Sequence, residues 1–158
     1  MLRSRDDELS VIVRFMARVA EIAPGESMGM IECSLDCRRR DDAIALVLLR
    51  RGVGPDCEVF AFRGGKFAVL LPGASLEDTV ETVERAQAMI ADAPERKAAP
   101  LVAGIAWCPP GGDRKALVAV AHDAYEQARS HGGTLVIAAG ESGLSAGSYG
   151  SSGSTAAA

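Results

Sequence analysis

Aromatic side chains make up only 4% of the 158 residues, and the chain has just two histidines, His122 and His131. A core so poor in rings must be built from alanine, valine and leucine, through small helix-packing contacts. The two histidines offer no catalytic pair with their neighbours, because His122 and Asp123 adjoin in sequence and point about 100° apart on a helix. No apolar run approaches the roughly 20 residues that cross a bilayer. Met1 to Glu8 is charged and lacks the apolar centre of a signal peptide, so a cytoplasmic location is expected. Positive charge is scarce as well: 17 Lys and Arg face 21 Asp and Glu, for a formal net charge of −4. That balance cannot neutralise a phosphate backbone and argues against nucleic acid as a partner. The one basic run, Arg38-Arg39-Arg40, leads straight into Asp41-Asp42 and reads as a solvated helix entrance. Cys33, Cys37, Cys57 and Cys108 form no Cys-x-x-Cys pair; Cys33 and Cys37 are four apart, yet small buried hydrophobes are the simpler reading. Neither a Gly-x-x-x-x-Gly-Lys loop nor a nucleophile elbow is present.

What is present is periodic. Over residues 6–23, Leu9, Ile12, Val13, Met16, Val19, Ala20 and Ala23 form an amphipathic stripe that Pro24-Gly25 ends. Met28 to Leu35 reads as a buried strand. The apolar run from Ala43 to Leu49 suits strand or helix by periodicity. Acids before it, with Arg50-Arg51 and Gly52 after it, match a helix and its dipole. Two strands, near 57–63 and 66–71, then flank Arg63-Gly64-Gly65-Lys66, a hairpin turn whose glycines accept positive φ. Ser75 with Asp78 forms a capping arrangement for a helix over 76–92, its inner face Val80, Val83, Ala86 or Gln87, and Ile90. Leu101 to Trp107 is a further strand, and Gly111-Gly112-Asp113 is a loop and N-cap. The helix it opens has Leu117, Val120, Ala121, Ala124 and Ala128 on its seam, and Thr134 to Ala138 closes the order as a strand. Residues 1–139 are thus expected to form one domain. Residues 140–158, nearly all glycine, serine and alanine, are expected to be a disordered tail. The element order predicts an α+β fold: a central mixed, mainly antiparallel sheet with a βαββαβ core flanked by helices.

Three stretches carry a resemblance. Val59-Phe60-Ala61-Phe62-Arg63-Gly64-Gly65-Lys66-Phe67-Ala68-Val69-Leu70-Leu71-Pro72 resembles the signature hairpin of the GGDEF family, the diguanylate cyclases. Val102-Ala103-Gly104-Ile105-Ala106 is similar to that family's strand Ser-Ile-Gly-Ile-Ala, without its polar residue. Ala121-His122-Asp123-Ala124-Tyr125-Glu126-Gln127-Ala128-Arg129 resembles its helix motif Ala-Asp-x-Ala-Leu-Tyr-x-Ala-Lys. Residues 6–138 are covered. The resemblance implies a cyclase fold in which carboxylates of the first strand and the hairpin hold two metal ions that promote joining of two GTP molecules.

This chain departs from that chemistry. Matching the strands puts Gly65 and Lys66 on the two acidic positions, and sliding by one residue puts Lys66 and Phe67 there. Glycine has no side chain to ligate a metal, and an ammonium repels one, by about 1 kcal/mol for two unit charges 4 Å apart in water and more near a protein surface. Glu32 falls near the family's metal-binding aspartate as a vestigial acid, with Ser34 or Asp36 beyond it. A single carboxylate binds magnesium poorly. The product-inhibition motif Arg-x-x-Asp is replaced by Gly54-Pro55-Asp56-Cys57, with Arg51 nearby at another spacing. No metal or other cofactor is therefore expected. The resemblance implies a catalytically inactive GGDEF-like domain of bacterial signalling, linked to cyclic di-GMP. Its partner would be a protein, or a second copy paired through the first helix. The alternative is a non-catalytic sensor of GTP or a cyclic dinucleotide, with Arg63, Gly64, Gly65 and Lys66 meeting phosphate. A residual enzyme using Glu32 and Asp36 is the third reading.

Overall fold

Ten elements follow one another in the computed structural model, which describes residues 5–35, 42–92, 101–131, 135–139 and 146–149. They are α1 (Arg5–Glu21), β1 (Met28–Ser34), α2 (Asp42–Val53), β2 (Glu58–Ala61), β3 (Lys66–Pro72), α3 (Leu76–Ala91), β4 (Val102–Cys108), α4 (Arg114–Ser130), β5 (Leu135–Ala139) and β6 (Ala146–Tyr149). The strands form one sheet in the order β2-β3-β1-β4-β5-β6. Every neighbouring pair is antiparallel except β4 and β5, which run parallel with α4 as their crossover. The expected α+β architecture and its mainly antiparallel sheet are what the structure shows.

Strand alternation sorts the core into two layers. On β1, Ile31 and Cys33 join Leu35 against α2 and α3, packing with Leu48, Leu49 and Val83. Met28 and Met30 point the other way, under α1 and α4, with Phe15, Val19 and Leu117. Glu32 and Ser34, next in the same alternation, share that second face. Helix starts follow local chemistry. The Ser75 hydroxyl accepts from the Asp78 amide at 3.0 Å while the Ser75 amide donates back to the Asp78 carboxylate at 3.2 Å, so the expected capping box is formed. Asp113 caps α4 by accepting from the amides of Lys115 and Ala116. The α3 inner face differs in detail: Thr79 and Thr82 are buried and Val80 is only half-buried. Their hydroxyls donate to the carbonyls of Ser75 and Asp78, both at 2.8 Å, which makes their burial affordable.

α1 departs further from expectation. Its buried residues are Val11, Phe15 and Val19, followed by Ile22 just past its end, whereas Leu9, Ile12, Val13 and Met16 are exposed, Val13 by 65%. The helix carries two apolar faces, and the one with the ring is the one that packs. Phe15 meets Phe60 and Phe62 edge-on, at 5.3 and 5.9 Å between centroids. Arg18 Nε donates to Glu58 at 2.7 Å on the same side, and that bond holds its guanidinium above its ordinary pKa. The terminal segment differs as well. Within the stretch expected to be disordered, Ala146–Tyr149 pairs antiparallel with β5. A sheet edge presents unpaired backbone groups that can recruit a strand without apolar side chains. Residues 140–145 and 150–158 of that stretch lie outside the described residues, as do Asp36 and the basic run 38–40. Among the described residues no helix is long and apolar enough to cross a membrane.

Cys33 is completely buried, and burial pushes its thiol up to about 12 from 9.0. The unfolded chain therefore releases this proton first, so the stability it contributes is full below pH 9 and is lost as pH rises towards 12. Relative to Cys33→Ala, the wild-type chain should lose about 1 kcal/mol more stability between pH 8 and pH 10. Urea unfolding at both pH values checks this; parallel losses in the two proteins would contradict it.

Candidate functional site

The hairpin turn is built by its glycines. Gly64 and Gly65 both take positive φ, 74° and 73°. The Phe62 amide closes the loop on the Lys66 carbonyl at 2.8 Å, and the Leu35 amide ties the end of β1 to the Gly65 carbonyl at 2.9 Å. Arg63 and Gly64 are exposed, Gly65 is buried and Lys66 is half-buried. The four residues expected to cradle phosphate thus face different surroundings. The Lys66 ammonium lies 5.4 Å from the centroid of the Tyr125 ring, on α4.

Glu32 sits opposite Ala68 on β3 and Gly104 on β4. Its carboxylate oxygens lie 2.9 and 3.1 Å from His122 Nδ1, across from α4. The partner of His122 is thus not its neighbour Asp123 but an acid 90 residues away in sequence. A signal was present: Glu32 continues the Met28–Met30 alternation, and His122 adjoins the seam residue Ala121. Glu32, His122 and Lys66 come together on one cavity of about 350 Å³, whose other walls, including Phe15, Met30, Phe62 and Val118, are apolar. Arg63, Gly64 and Gly65 do not line it. Among the described residues no group of three or more His, Cys, Asp or Glu is placed to hold a metal ion. The Glu32–His122 pair is partly exposed, so Glu32→Gln should change stability by less than about 1 kcal/mol. A urea-unfolding loss above 2 kcal/mol would show that the pair holds the sheet to α4.

A second cavity, of about 600 Å³, lies on the opposite face between the ends of α2, β3 and α3. Arg51 and Asp56, noted in the sequence at an unfamiliar spacing, both line it, and α3 adds Asp78 and Arg85. Arg85 has no local sequence mark beyond its place on α3. Its guanidinium donates to the Val53 carbonyl at 3.3 Å. Cys57, half-buried at this site, has its thiol pushed up by burial, with the Arg85 charge acting in the other direction.

No known family's sequence profile matches the chain, and no curated protein does. Solved structures do. The GGDEF domain of FimX from Pseudomonas aeruginosa is 16% identical with a TM-score of 0.64, covering 81% of this chain and 91% of that one. The GGDEF domain of DgcB from Caulobacter crescentus, in complex with c-di-GMP, is 15% identical with a TM-score of 0.64, over 81% and 87%. Diguanylate cyclase SiaD from Pseudomonas aeruginosa, in complex with its activator SiaC, is 17% identical with a TM-score of 0.62, over 80% of this chain and 57% of that one. The chain has the fold of GGDEF domains.

Proposed function

We propose that this GGDEF-fold chain makes no cyclic dinucleotide and acts through contacts with another protein in cyclic di-GMP signalling, in a bacterial cytoplasm. The observation that carries the reading is the chemistry at the hairpin. Gly65 and Lys66 occupy the positions where the family resemblance calls for acids, and the nearby acid of β1, Glu32, is already bonded to His122. A metal pair that activates a phosphate needs several carboxylates there. Support for protein contacts comes from α1, whose Leu9, Ile12, Val13 and Met16 expose an apolar face to a partner or a second copy. The SiaD–SiaC complex is a neighbour of this fold engaged by a protein. Incubation with GTP and magnesium or manganese, followed by chromatography, tests the catalytic half: no cyclic product is expected, and any would overturn it. Lys66→Glu should be equally silent, because one restored acid leaves Gly65 on the other acidic position and Glu32 bonded to His122.

A second reading, a nucleotide sensor, is favoured by the arginines of the larger cavity, since the DgcB neighbour is in complex with c-di-GMP. Calorimetry with GTP and with cyclic di-GMP separates the two. Absence of heat at millimolar ligand supports protein contacts alone. Micromolar binding that weakens tenfold in Arg85→Ala would replace that reading with the sensor.

A further inference from the structure

The cavity beneath α1, which shares Ile12 and Met16 with the exposed helix face, has an interior that neither reading uses. Its walls are apolar, from Phe15, Met16, Met30, Phe62 and Val118, and its polar residues gather at Glu32, His122 and Lys66. We propose that it binds a medium-chain monocarboxylate, its alkyl tail among the apolar walls and its carboxylate on Lys66. The volume fits: about 350 Å³ holds roughly a dozen non-hydrogen atoms if each takes about the 30 Å³ of a water molecule in the liquid. It also lies within the range of small-molecule pockets.

Charge selects the head group. Both Glu32 oxygens are met by His122 Nδ1, at 2.9 and 3.1 Å, so that acid already has a hydrogen-bond partner. Among the described residues, the Lys66 ammonium meets the Tyr125 ring face at 5.4 Å. A ring is a weaker partner for an ammonium than a carboxylate is, so an incoming anion gains a bond that the free protein lacks. The tail has a place because α1 carries two apolar faces and packs through one of them. The helix packs through Val11, Phe15 and Val19, which leaves Ile12 and Met16 on the cavity rim, both about 40% exposed (41% and 40%). An alkyl chain would cover them. This inference does not depend on whether the chain turns over GTP.

The test is calorimetric titration of the full chain with sodium decanoate, sodium hexanoate, decan-1-ol and decyltrimethylammonium. Decanoate should bind one to one, at least tenfold more tightly than each of the others. Lys66→Met should weaken decanoate about tenfold while leaving decan-1-ol unchanged. Val118→Trp, which fills the cavity, should abolish binding. If a variant fails to fold, the head-group series on the native chain still decides, and hydrogen exchange adds a second measurement: decanoate should slow exchange of the α1 amides. Equal affinity for decan-1-ol would overturn the carboxylate assignment. No saturable binding of decanoate would overturn the site. Loss of decanoate binding on self-association, seen by sedimentation, would overturn it in favour of a second copy as the occupant.

Discussion

Gly104→Ala should lower the melting temperature by roughly 6–12 °C, the loss expected when about 3 kcal/mol is removed from a chain of this size. Gly104 lies in the middle of β4, and α4 crosses directly over it. A Cβ built there would fall on the amide nitrogen of Tyr125, with the Ala124 carbonyl carbon and Tyr125 Cα both at 2.6 Å. Each of these atoms is backbone, so no rotamer change relieves the contact and the helix must lift. Lifting it loosens Ala121, Ala124, Tyr125 and Ala128, all buried beneath α4. Overpacking of this kind typically costs 1–3 kcal/mol, and a backbone obstacle puts the site at the upper end. Gly25→Ala is the control, because nothing lies within 4 Å of its added carbon. Thermal unfolding followed by circular dichroism reads both. A fall below 2 °C for Gly104→Ala would mean that α4 sits less tightly on β4 than the structure shows.

The same position explains why much of the fold was legible in the sequence. A glycine between apolar residues, followed by a helix with alanines on its seam, describes a helix lying close on a strand. The hairpin and the Ser75–Asp78 box were legible for similar reasons: each is a short-range pattern whose chemistry closes within a few residues. α1 was harder because it has two apolar faces, and only the position of Phe60 and Phe62 across the sheet decides between them. The site was hardest of all. The turn and Glu32 could be named, but the Glu32–His122 bond joins a strand to a helix 90 residues later, and no local spacing encodes it. Arg85 belongs to the larger cavity by the same kind of long-range placement. β6 follows from an available sheet edge rather than from anything in its own composition.

Gly65→Asp should destabilise the chain by about 2–4 kcal/mol, and Gly64→Asp by only about 1 kcal/mol, although the two glycines share nearly the same φ. The shared conformation sets a common cost, modest for aspartate because it tolerates the left-handed region better than most residues. The difference lies in what surrounds them. Nothing stands within 4 Å of a Cβ on Gly64, whereas one on Gly65 would sit 2.7 Å from the Leu35 carbonyl oxygen. Leu35 cannot simply move aside, since its own amide is bonded to the Gly65 carbonyl at 2.9 Å. A carboxylate added here must also face that carbonyl. Urea unfolding of both variants, with Gly64→Ala and Gly65→Ala beside them, separates φ from contact; equal losses at the two positions would refute the argument. The comparison bears on function because, with the strands matched, position 65 is where the family resemblance places the first acid of the hairpin. In this backbone that position serves the junction between the turn and β1, and the next one, Lys66, turns an ammonium towards Tyr125. An acid placed at 65 is therefore expected to disturb the junction between the turn and β1 before it can supply a ligand.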